Sequence, residues 1–465
     1  MIRKQIFAII AGVLVATSGW AAVTLKLPQP QVETLANGLQ LVWFVDERIP
    51  VVDLVLLVRS GERDDPPGKS GVSSLLSAAL GRDSGGISAT EMSRSVEKLG
   101  ASRSISTDDE AFLIGTHGLA ADSEELLKIL ALTALKPDFL DTEVKREHGR
   151  ILDRWRHLGD SAEVLASVAF QKRIMAGTHY GRTGFASVKE FTQVAREDVL
   201  AYYKAHFTPK NSILMIVGQV NKPQFRMKIE KAFQDWKGEI PQRQWKNYSD
   251  PRVMTQPGQI LLLDRPDLTQ AQVRIGLPAP DVHSPDRYDL AVGNALFGEY
   301  FNSRLVSVIR DEMGLTYGIG SGFSFNQEVG RFSILTSTRT ESVGKLLDET
   351  LFQLKKWKNG PIPAQEVETA REYLSGGFPL GVASLGAVAS RWLAARVMGL
   401  GDHALDEFAA KINSVTPERV NQAVKKHIQP DQAMIVIAGD AVGIRKSLEK
   451  SGFTKIKLLK AGDLN

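Results

Sequence analysis

Hydrophobic and polar residues in the first half of the chain predict short strands alternating with amphipathic helices. Apolar or alternating runs typical of strands occur at 39–45, 51–58, 102–118 and 213–217, the third being a strand pair. Apolar residues recur with helical spacing at 71–80, 90–99, 123–133, 140–158, 161–175 and 188–206. This half is therefore predicted to combine a sheet with several helices.

The second half repeats this order of elements. Strands are predicted at 260–264, 271–277, 317–325, 331–338 and 433–438, and helices at 285–298, 303–313, 341–357, 364–374, 381–398, 404–413 and 417–427. His206-x-x-Pro209 before Gly218 also returns as His427-x-x-Pro430 before Gly439. A duplication at a separation of about 220 residues predicts an α+β protein of two lobes, each an antiparallel-rich sheet packed with helices.

The boundary between the lobes is predicted from composition. Residues 238–259 are rich in Pro, Gln and charge and show little apolar periodicity, which is typical of a linker. We therefore expect an N-terminal lobe over 22–237 and a C-terminal lobe over 260–465.

Residues 1–21 are typical of a secretory signal peptide. They combine basic Arg3 and Lys4, an uncharged apolar run over 6–16, and the small residues Gly19 and Ala21. An uncleaved membrane anchor is the alternative, but the run is shorter than the roughly 20 apolar residues of a spanning helix. We expect an exported, periplasmic protein without a stable membrane anchor.

Composition narrows the classes of partner and cofactor. Hydrophobic residues make up 43% and charged residues 24% of the 465 residues, as in soluble globular proteins. The formal charge is +4, or +2 without Arg3 and Lys4, and no basic run interleaved with aromatics indicates a nucleic-acid partner. The absence of cysteine excludes disulfides and thiolate metal ligands.

Two glycine-containing loops carry local signals. Asn37-Gly38 is typical of a type I′ hairpin turn. Gly68-Lys69-Ser70 is reminiscent of a phosphate-binding loop, but six residues separate Gly61 from Gly68 where that motif has four. No apolar strand leads directly into it, so we do not assign a phosphate site.

Arg310 and Tyr317 stand seven positions apart, on either side of a predicted helix end at Met313-Gly314. A guanidinium fork and a phenolic donor facing one place would hold a carbonyl oxygen that gains charge during acyl transfer. The alternative is that Arg310 is a solvated helix charge and Tyr317 a strand aromatic. The spacing alone does not decide between the two.

Several segments together resemble the pitrilysin-like zinc metallopeptidases, close in layout to the branch of the mitochondrial processing peptidase. The matching segments are 34–39, 61–71, 206–218, 303–305 and 309–317, and together they span nearly the whole mature chain. The resemblance implies that the two lobes form half of a clam-shell peptidase chamber. It also implies that Arg310 and Tyr317 contact the peptide substrate across that chamber.

The zinc motif of the family is missing from this sequence. Active members carry His-x-x-Glu-His on the helix after the loop, with two zinc ligands and a general base. Alignment to the loop places Ser74 and Ala78 at the histidines and Ser77 at the glutamate. The third ligand, counted seven residues from Glu147, falls on Arg154, although a slip of one residue would offer Asp153.

The histidines do not suggest a replacement site. His148 and His157 share one predicted helix, but a separation of nine residues places them on opposite faces. His206 and His427 occupy equivalent positions of the duplication, which favours a shared structural role over metal binding. We expect no metal in this chain, and zinc in a partner subunit.

We therefore expect an inactive subunit of a heterodimeric metalloendopeptidase that acts on peptides. It would supply Arg310 and Tyr317 in trans to a homologous partner with His-x-x-Glu-His. A non-catalytic pseudoenzyme that binds peptides or scaffolds a complex is the main alternative. A peptidase active by itself would need a metal site that the sequence does not offer.

Overall fold

The computed structural model describes residues 26–158, 161–182, 188–242, 258–266 and 268–459. The predicted signal peptide and most of the predicted linker lie outside these residues, so the predicted domain boundaries remain predictions. Within the described ranges, no single helix is long and apolar enough to cross a membrane. Only the pair Ala364–Val382 and Leu385–Val397, bent by 114°, reaches that length and composition together.

Six strands form the sheet of the first half: β1 (Gln31–Thr34), β2 (Gln40–Val45), β3 (Val51–Val58), β4 (Ser102–Thr107), β5 (Phe112–Leu119) and β6 (Ser212–Gly218). Their order across the sheet is β1-β2-β6-β3-β5-β4. β2 pairs with β6 in parallel, and the other neighbours are antiparallel.

The described helices of this half are α1 (Val72–Leu80), α2 (Ala89–Lys98), α3 (Ser123–Leu135), α4 (Asp141–Leu158), α5 (Ala162–Ile174), α6 (Val188–Phe191), α7 (Arg196–His206) and α8 (Lys222–Phe233). The single helix predicted over 188–206 is wrong. Ala195 between α6 and α7 is extended, with φ −116° and ψ 172°, and its N–H donates to Asp198 Oδ2 at 2.8 Å. A new helix therefore begins at Arg196.

The second sheet consists of β7 (Ile260–Asp264), β8 (Gln270–Ala279), β9 (Ile319–Phe325), β10 (Gly330–Arg339), β11 (Met434–Gly439) and β12 (Ile456–Leu459). Their order is β12-β7-β11-β8-β10-β9. β7 pairs with β11 and β12 in parallel, and the remaining pairs are antiparallel.

The described helices of the second half are α9 (Arg287–Asn294), α10 (Val343–Asn359), α11 (Ala364–Gly377), α12 (Leu385–Val397), α13 (Phe408–Asn413), α14 (Pro417–His427) and α15 (Ala441–Lys450). Two segments are π-helical: Ala295–Glu299 ends the helix predicted over 285–298, and Val306–Glu312 forms most of the helix predicted over 303–313. Hydrophobic spacing predicted helices here, but it did not predict their widened turns.

The two sheets confirm the predicted duplication and the fold class. The order β2-β6-β3-β5-β4 in the first half corresponds to β7-β11-β8-β10-β9 in the second, with one parallel pair at the same place. The sixth strands differ, because β1 pairs with β2 antiparallel whereas β12 pairs with β7 in parallel. The repeat thus covers five strands of each sheet.

Each half covers one face of the other half's sheet. In β6, Leu214 and Ile216 face the core of their own lobe, whereas Ile213, Met215 and Val217 pack with apolar residues of α12. In β11, Met434, Val436 and Ala438 likewise pack with apolar residues of α5. Because a strand buried on both faces must be apolar throughout, this exchange explains the continuous apolar runs of the two strands.

One glycine makes the close packing of α5 possible. A Cβ at Gly276 in β8 would lie 2.3 Å from Phe170 Cζ and 2.8 Å from Ile174 Cδ1, both on α5. Non-bonded carbon atoms do not approach so closely. Because glycine has only a hydrogen in place of the Cβ, α5 can pack directly on the sheet. Phe170 and Ile174 are buried there.

The type I′ turn predicted at Asn37-Gly38 is wrong. β1 and β2 do form a hairpin, but Gly38 N donates to Leu35 O at 2.9 Å, which makes Asn37 and Gly38 the third and fourth residues of the turn. A type I′ turn needs a positive φ at both central residues, but of Asn37 and Gly38 only Gly38 has one, of 93°. The side chain of Asn37 instead accepts from Leu39 N at 3.1 Å and donates to Phe233 O at 2.8 Å.

Candidate functional site

The helix at the position of the zinc motif begins at a tightly packed glycine. Gly71 has a left-handed φ of 93°, and a Cβ there would lie 2.6 Å from Phe191 and 3.3 Å from Trp155 of α4. α1 therefore starts close against α4. Ser74, Ser77 and Ala78 follow on α1, and Ser74 Oγ donates to Glu62 Oε1 at 3.1 Å.

A carboxylate occupies the N-terminus of α1. Asp65 is buried and accepts from Gly71 N at 2.5 Å and from Ser73 N at 2.9 Å. Burial raises the pKa of Asp65 to about 7. A phosphate-binding loop would use such N–H groups for its ligand, whereas here they hold the chain's own side chain.

α4 supplies the third position of the degenerate motif. Arg154 is exposed, and Glu147, seven residues earlier, is buried and forms ion pairs with Arg82 at 2.6 Å and Arg150 at 3.0 Å. Arginine side chains therefore provide the positive charge that faces this carboxylate. The sequence did not indicate Arg82 as a partner, because it lies 65 residues away from Glu147.

The residues at the motif positions do not fit a zinc ion. Ser74, Ser77, Ala78 and Arg154 provide two hydroxyls, a methyl group and a cation, whereas protein zinc sites use His, Cys, Asp or Glu ligands. Within the parts of the chain that the structure describes, no group of three or more such side chains is placed to hold a metal ion.

His206 and His427 make equivalent side-chain contacts in the two lobes. His206 Nδ1 lies 2.9 Å from Ser60 Oγ, and His427 Nε2 lies 2.7 Å from Asp286 Oδ2. Each histidine ends a helix, α7 or α14, and contacts the loop after β3 or β8. These contacts give both side chains a structural role at the same place in the duplication.

The predicted helix end before Tyr317 is confirmed. Gly314 adopts a left-handed φ of 61° directly after the segment Val306–Glu312 and Met313. Gly314 N donates to Arg310 O at 3.2 Å, and Leu315 N donates to Ile309 O at 3.0 Å. The last carbonyls of the helix are thereby satisfied, and Arg310 lies in its last turn.

The guanidinium of Arg310 is fixed by two neighbours. Its Nε donates to Asp311 Oδ1 at 2.7 Å and its Nη2 to Asp311 Oδ2 at 3.2 Å, and it stacks over the Phe301 ring at 4.0 Å. The hydrogen bond from Arg310 lowers the pKa of Asp311. The Arg310 side chain is 21% exposed, so part of it remains open to solvent.

Tyr317 is 94% exposed. Its backbone is held by Thr316, whose Oγ1 donates to Ser337 O at 2.6 Å and accepts from Gly318 N at 3.1 Å. Among the described residues, no hydrogen bond or ring contact joins Tyr317 to Arg310. The structure thus holds Arg310 in place and leaves the Tyr317 phenol in solvent, and their shared role remains a prediction.

Comparison with known protein families places most of the described chain in one family. Residues 43–183 match the Insulinase family (Peptidase family M16), and residues 193–374 match the Peptidase M16 inactive domain. An uncharacterised zinc protease of Bacillus subtilis, YmxG, is 23% identical over 87% of this chain and 97% of its own length. An uncharacterised zinc protease of Streptomyces coelicolor, SCO5738, is 22% identical over 91% and 90%.

Solved structures show the same fold. A peptidase M16 inactive domain from Pseudomonas fluorescens superimposes with a TM-score of 0.80 at 23% identity, covering 89% of this chain and 98% of that one. An M16-like peptidase from Alicyclobacillus acidocaldarius gives a TM-score of 0.76 at 17% identity, covering 90% and 99%. Because Ser74, Ser77 and Ala78 occupy the His-x-x-Glu-His positions, the chain is of the inactive type. By the two matching family models, the chain belongs to the pitrilysin-like peptidase family M16.

Proposed function

We propose that this chain is the zinc-less subunit of an exported heterodimeric metallopeptidase. It supplies Arg310 and Tyr317 to a peptide that is cleaved at the zinc site of a homologous His-x-x-Glu-His partner. The observation that carries the proposal is the contrast between the two sites. The motif positions on α1 have no metal ligand, whereas Arg310 is held by Asp311 and Phe301 at an ordered helix end.

Arg310 retains the donors that this role requires. A guanidinium has five N–H donors, and Asp311 accepts from Nε and from Nη2. The Nη1 group and the second hydrogen of Nη2 are left to hold a substrate carbonyl oxygen. The exposed phenol of Tyr317 supplies one further donor beside the peptide. In this proposal zinc belongs to the partner, and this chain binds the peptide and polarises its scissile carbonyl.

The test starts with the partner. The tagged mature chain is recovered from an extract of its source, and mass spectrometry identifies any His-x-x-Glu-His protein of similar size present in about equal amount. The peptidase activity of that complex is then measured with Arg310→Ala. We expect a loss of about 2 to 4 kcal/mol of transition-state stabilisation, as for one oxyanion donor.

Arg339→Ala is a suitable control, because Arg339 is 69% exposed and its carboxylate contact, to Glu341 at 3.7 Å, is distant. Its complex should cleave peptides at the wild-type rate. If the Arg310→Ala complex does the same, Arg310 does not have the role proposed here.

A non-catalytic role in peptide binding or scaffolding is the second candidate. It is favoured by the bidentate pairing of Arg310 with its own neighbour Asp311, which already satisfies two of the guanidinium donors. This candidate predicts that the chain, purified without any metallopeptidase, binds unfolded peptides by itself. A chain that binds peptides only together with a His-x-x-Glu-His subunit contradicts it.

A further inference from the structure

A polar cavity lies on the C-terminal half, with no residue in common with the degenerate motif or with the pair Arg310 and Tyr317. It has a volume of about 380 Å³ and lies between the loop before α9, the start of α9, and helices α13 and α14. Polar side chains that line it are His283, Ser284, Arg287, Lys411, Ser414 and Arg419. No Asp or Glu belongs to its described lining.

Arg287 brings a positive charge into this cavity without a carboxylate partner. Its Nη1 donates to Val282 O at 2.9 Å and its Nη2 to Tyr288 Oη at 2.6 Å, and both acceptors are neutral. Among the described residues, no Asp or Glu forms an ion pair with it. Three of the five guanidinium donors therefore remain for a ligand.

A second cation is held near Arg287 by the same aromatic ring. The Arg287 guanidinium lies 4.6 Å and the Lys411 Nζ 5.5 Å from the centre of the Tyr288 ring. The hydrogen bond to Glu407 raises the pKa of Lys411, and the charge of Arg287 opposes this effect. Two like charges kept this close create a positive potential that an anion would relieve.

Arg419 completes the basic lining in a fixed position. It pairs with Asp289 at 3.0 Å, and its Nη1 donates to Ser414 O at 3.3 Å. Asp289 and Glu407 therefore hold two of the three cations without themselves lining the cavity. No carboxylate among the described residues serves as a counter-ion for Arg287.

We propose that this cavity binds a phosphate group, carried either by a soluble phosphate compound or by a lipid headgroup. The planar fork of Arg287 matches two phosphate oxygens, and the ammonium of Lys411 adds a point charge. The hydroxyl of Ser284, which accepts from Asp286 N at 3.3 Å, keeps its own hydrogen as a further donor. A cavity of about 380 Å³ exceeds one phosphate ion, so part of the carrier molecule is expected to enter as well.

The test measures the binding of inorganic phosphate and pyrophosphate to the mature chain by calorimetry at low salt. Arg287→Gln should weaken the affinity about tenfold or more, because charge-assisted hydrogen bonds are lost. Lys411→Gln tests the same cavity at an exposed position. Lys355→Gln, a 58% exposed lysine outside the cavity lining, is the matched control and should bind as the wild type does.

Vesicles of phosphatidylcholine with and without phosphatidic acid distinguish the two sources of phosphate. Saturable binding of free phosphate or pyrophosphate that both cavity variants weaken supports a soluble ligand. Cosedimentation that requires phosphatidic acid and is weakened by Arg287→Gln supports a headgroup. The proposal is overturned if neither probe binds, or if binding is as strong in Arg287→Gln and Lys411→Gln as in Lys355→Gln.

Discussion

At Arg310, an aromatic ring and a carboxylate determine where the guanidinium lies. The stacking distance of 4.0 Å to Phe301 is within the range of a cation–π contact, and Asp311 accepts hydrogen bonds from Nε and Nη2 of the guanidinium. Phe301 is 71% exposed, which is unusual for a large aromatic residue. We therefore interpret Phe301 as a residue that positions Arg310 rather than as part of the core.

Phe301→Ala tests this interpretation in the peptidase complex proposed above. An exposed cation–π contact contributes about 0.5 to 1 kcal/mol, so kcat/KM should fall about two- to fivefold. The melting temperature of the isolated chain should stay unchanged, because little apolar surface is lost. Phe352→Ala, at a phenylalanine that is 57% exposed on α10, is the control and should leave kcat/KM unaltered. A rise in kcat/KM would mean that Phe301 holds Arg310 away from the peptide.

Single residues of the candidate site were predictable from the sequence to different degrees. The motif positions Ser74 and Ala78 follow from their spacing to the preceding loop, and Gly314 from its place after a helix. Phe301 could not be found in this way, because it precedes its helix and reaches Arg310 only through the fold. The same holds for Arg82, which meets Glu147 from another element.

At the scale of elements, α5 depends on the absence of a side chain at one position of β8. Gly276→Ala would place a Cβ 2.3 Å from Phe170 Cζ, and the buried ring has little room to move. We expect a loss of about 1 to 3 kcal/mol in the free energy of unfolding, as for other overpacked cores. Urea unfolding followed by circular dichroism measures the loss.

Gly149→Ala is the matched control for this prediction. Gly149 lies within α4, and no atom beyond its own helix lies within 4 Å of a Cβ built there. The same substitution should therefore stabilise the chain by about 0.4 to 1 kcal/mol through the unfolded state. If Gly276→Ala is equally neutral or stabilising, α5 does not pack on β8 as closely as described.

The elements themselves were mostly predictable, whereas their contacts were not. Apolar runs predicted the bounds of β6 and β11 to within one residue at each end, because both strands are buried on both faces. Their sequences do not say that α12 and α5 provide the second cover, since any apolar helix satisfies the same pattern. The break between α6 and α7 was missed because it depends on the backbone of Ala195, which apolar periodicity does not report.

At the scale of the whole molecule, the two halves meet through a buried polar cluster around the turn between β4 and β5. Glu110 accepts a hydrogen bond from Tyr180 Oη at 2.7 Å, and the buried Arg63 pairs with it. From the second half, Gln327 N donates to Glu110 at 3.4 Å, and the charge of Arg331 acts on Asp109. The stability of this contact should therefore depend on the protonation of the cluster.

The pKa of Asp109 determines whether the stability rises or falls with pH. Burial, with the charges of Glu62 and Asp108, raises its pKa from 3.8 to about 7 despite Arg331 and Arg63. Between these values the folded chain binds more protons than the unfolded chain, so the free energy of unfolding falls as the pH rises. The contribution of Asp109 is complete below 3.8 and is lost as the pH rises through about 7. The buried Asp65, whose pKa is also about 7, adds a decline of the same sign.

Asp109→Asn should reduce this decline, because an amide of the same shape does not ionise. The pKa values of 3.8 and about 7 set an upper bound of roughly 4 kcal/mol on the contribution. Relative to the wild type, the variant should therefore gain melting temperature steadily between about pH 4 and pH 8. Asp431→Asn, at a side chain that is 89% exposed, should show no such trend. If the melting temperatures of Asp109→Asn and the wild type run parallel across this range, Asp109 ionises in the folded chain as it does in water, and the contact between the halves does not depend on its proton.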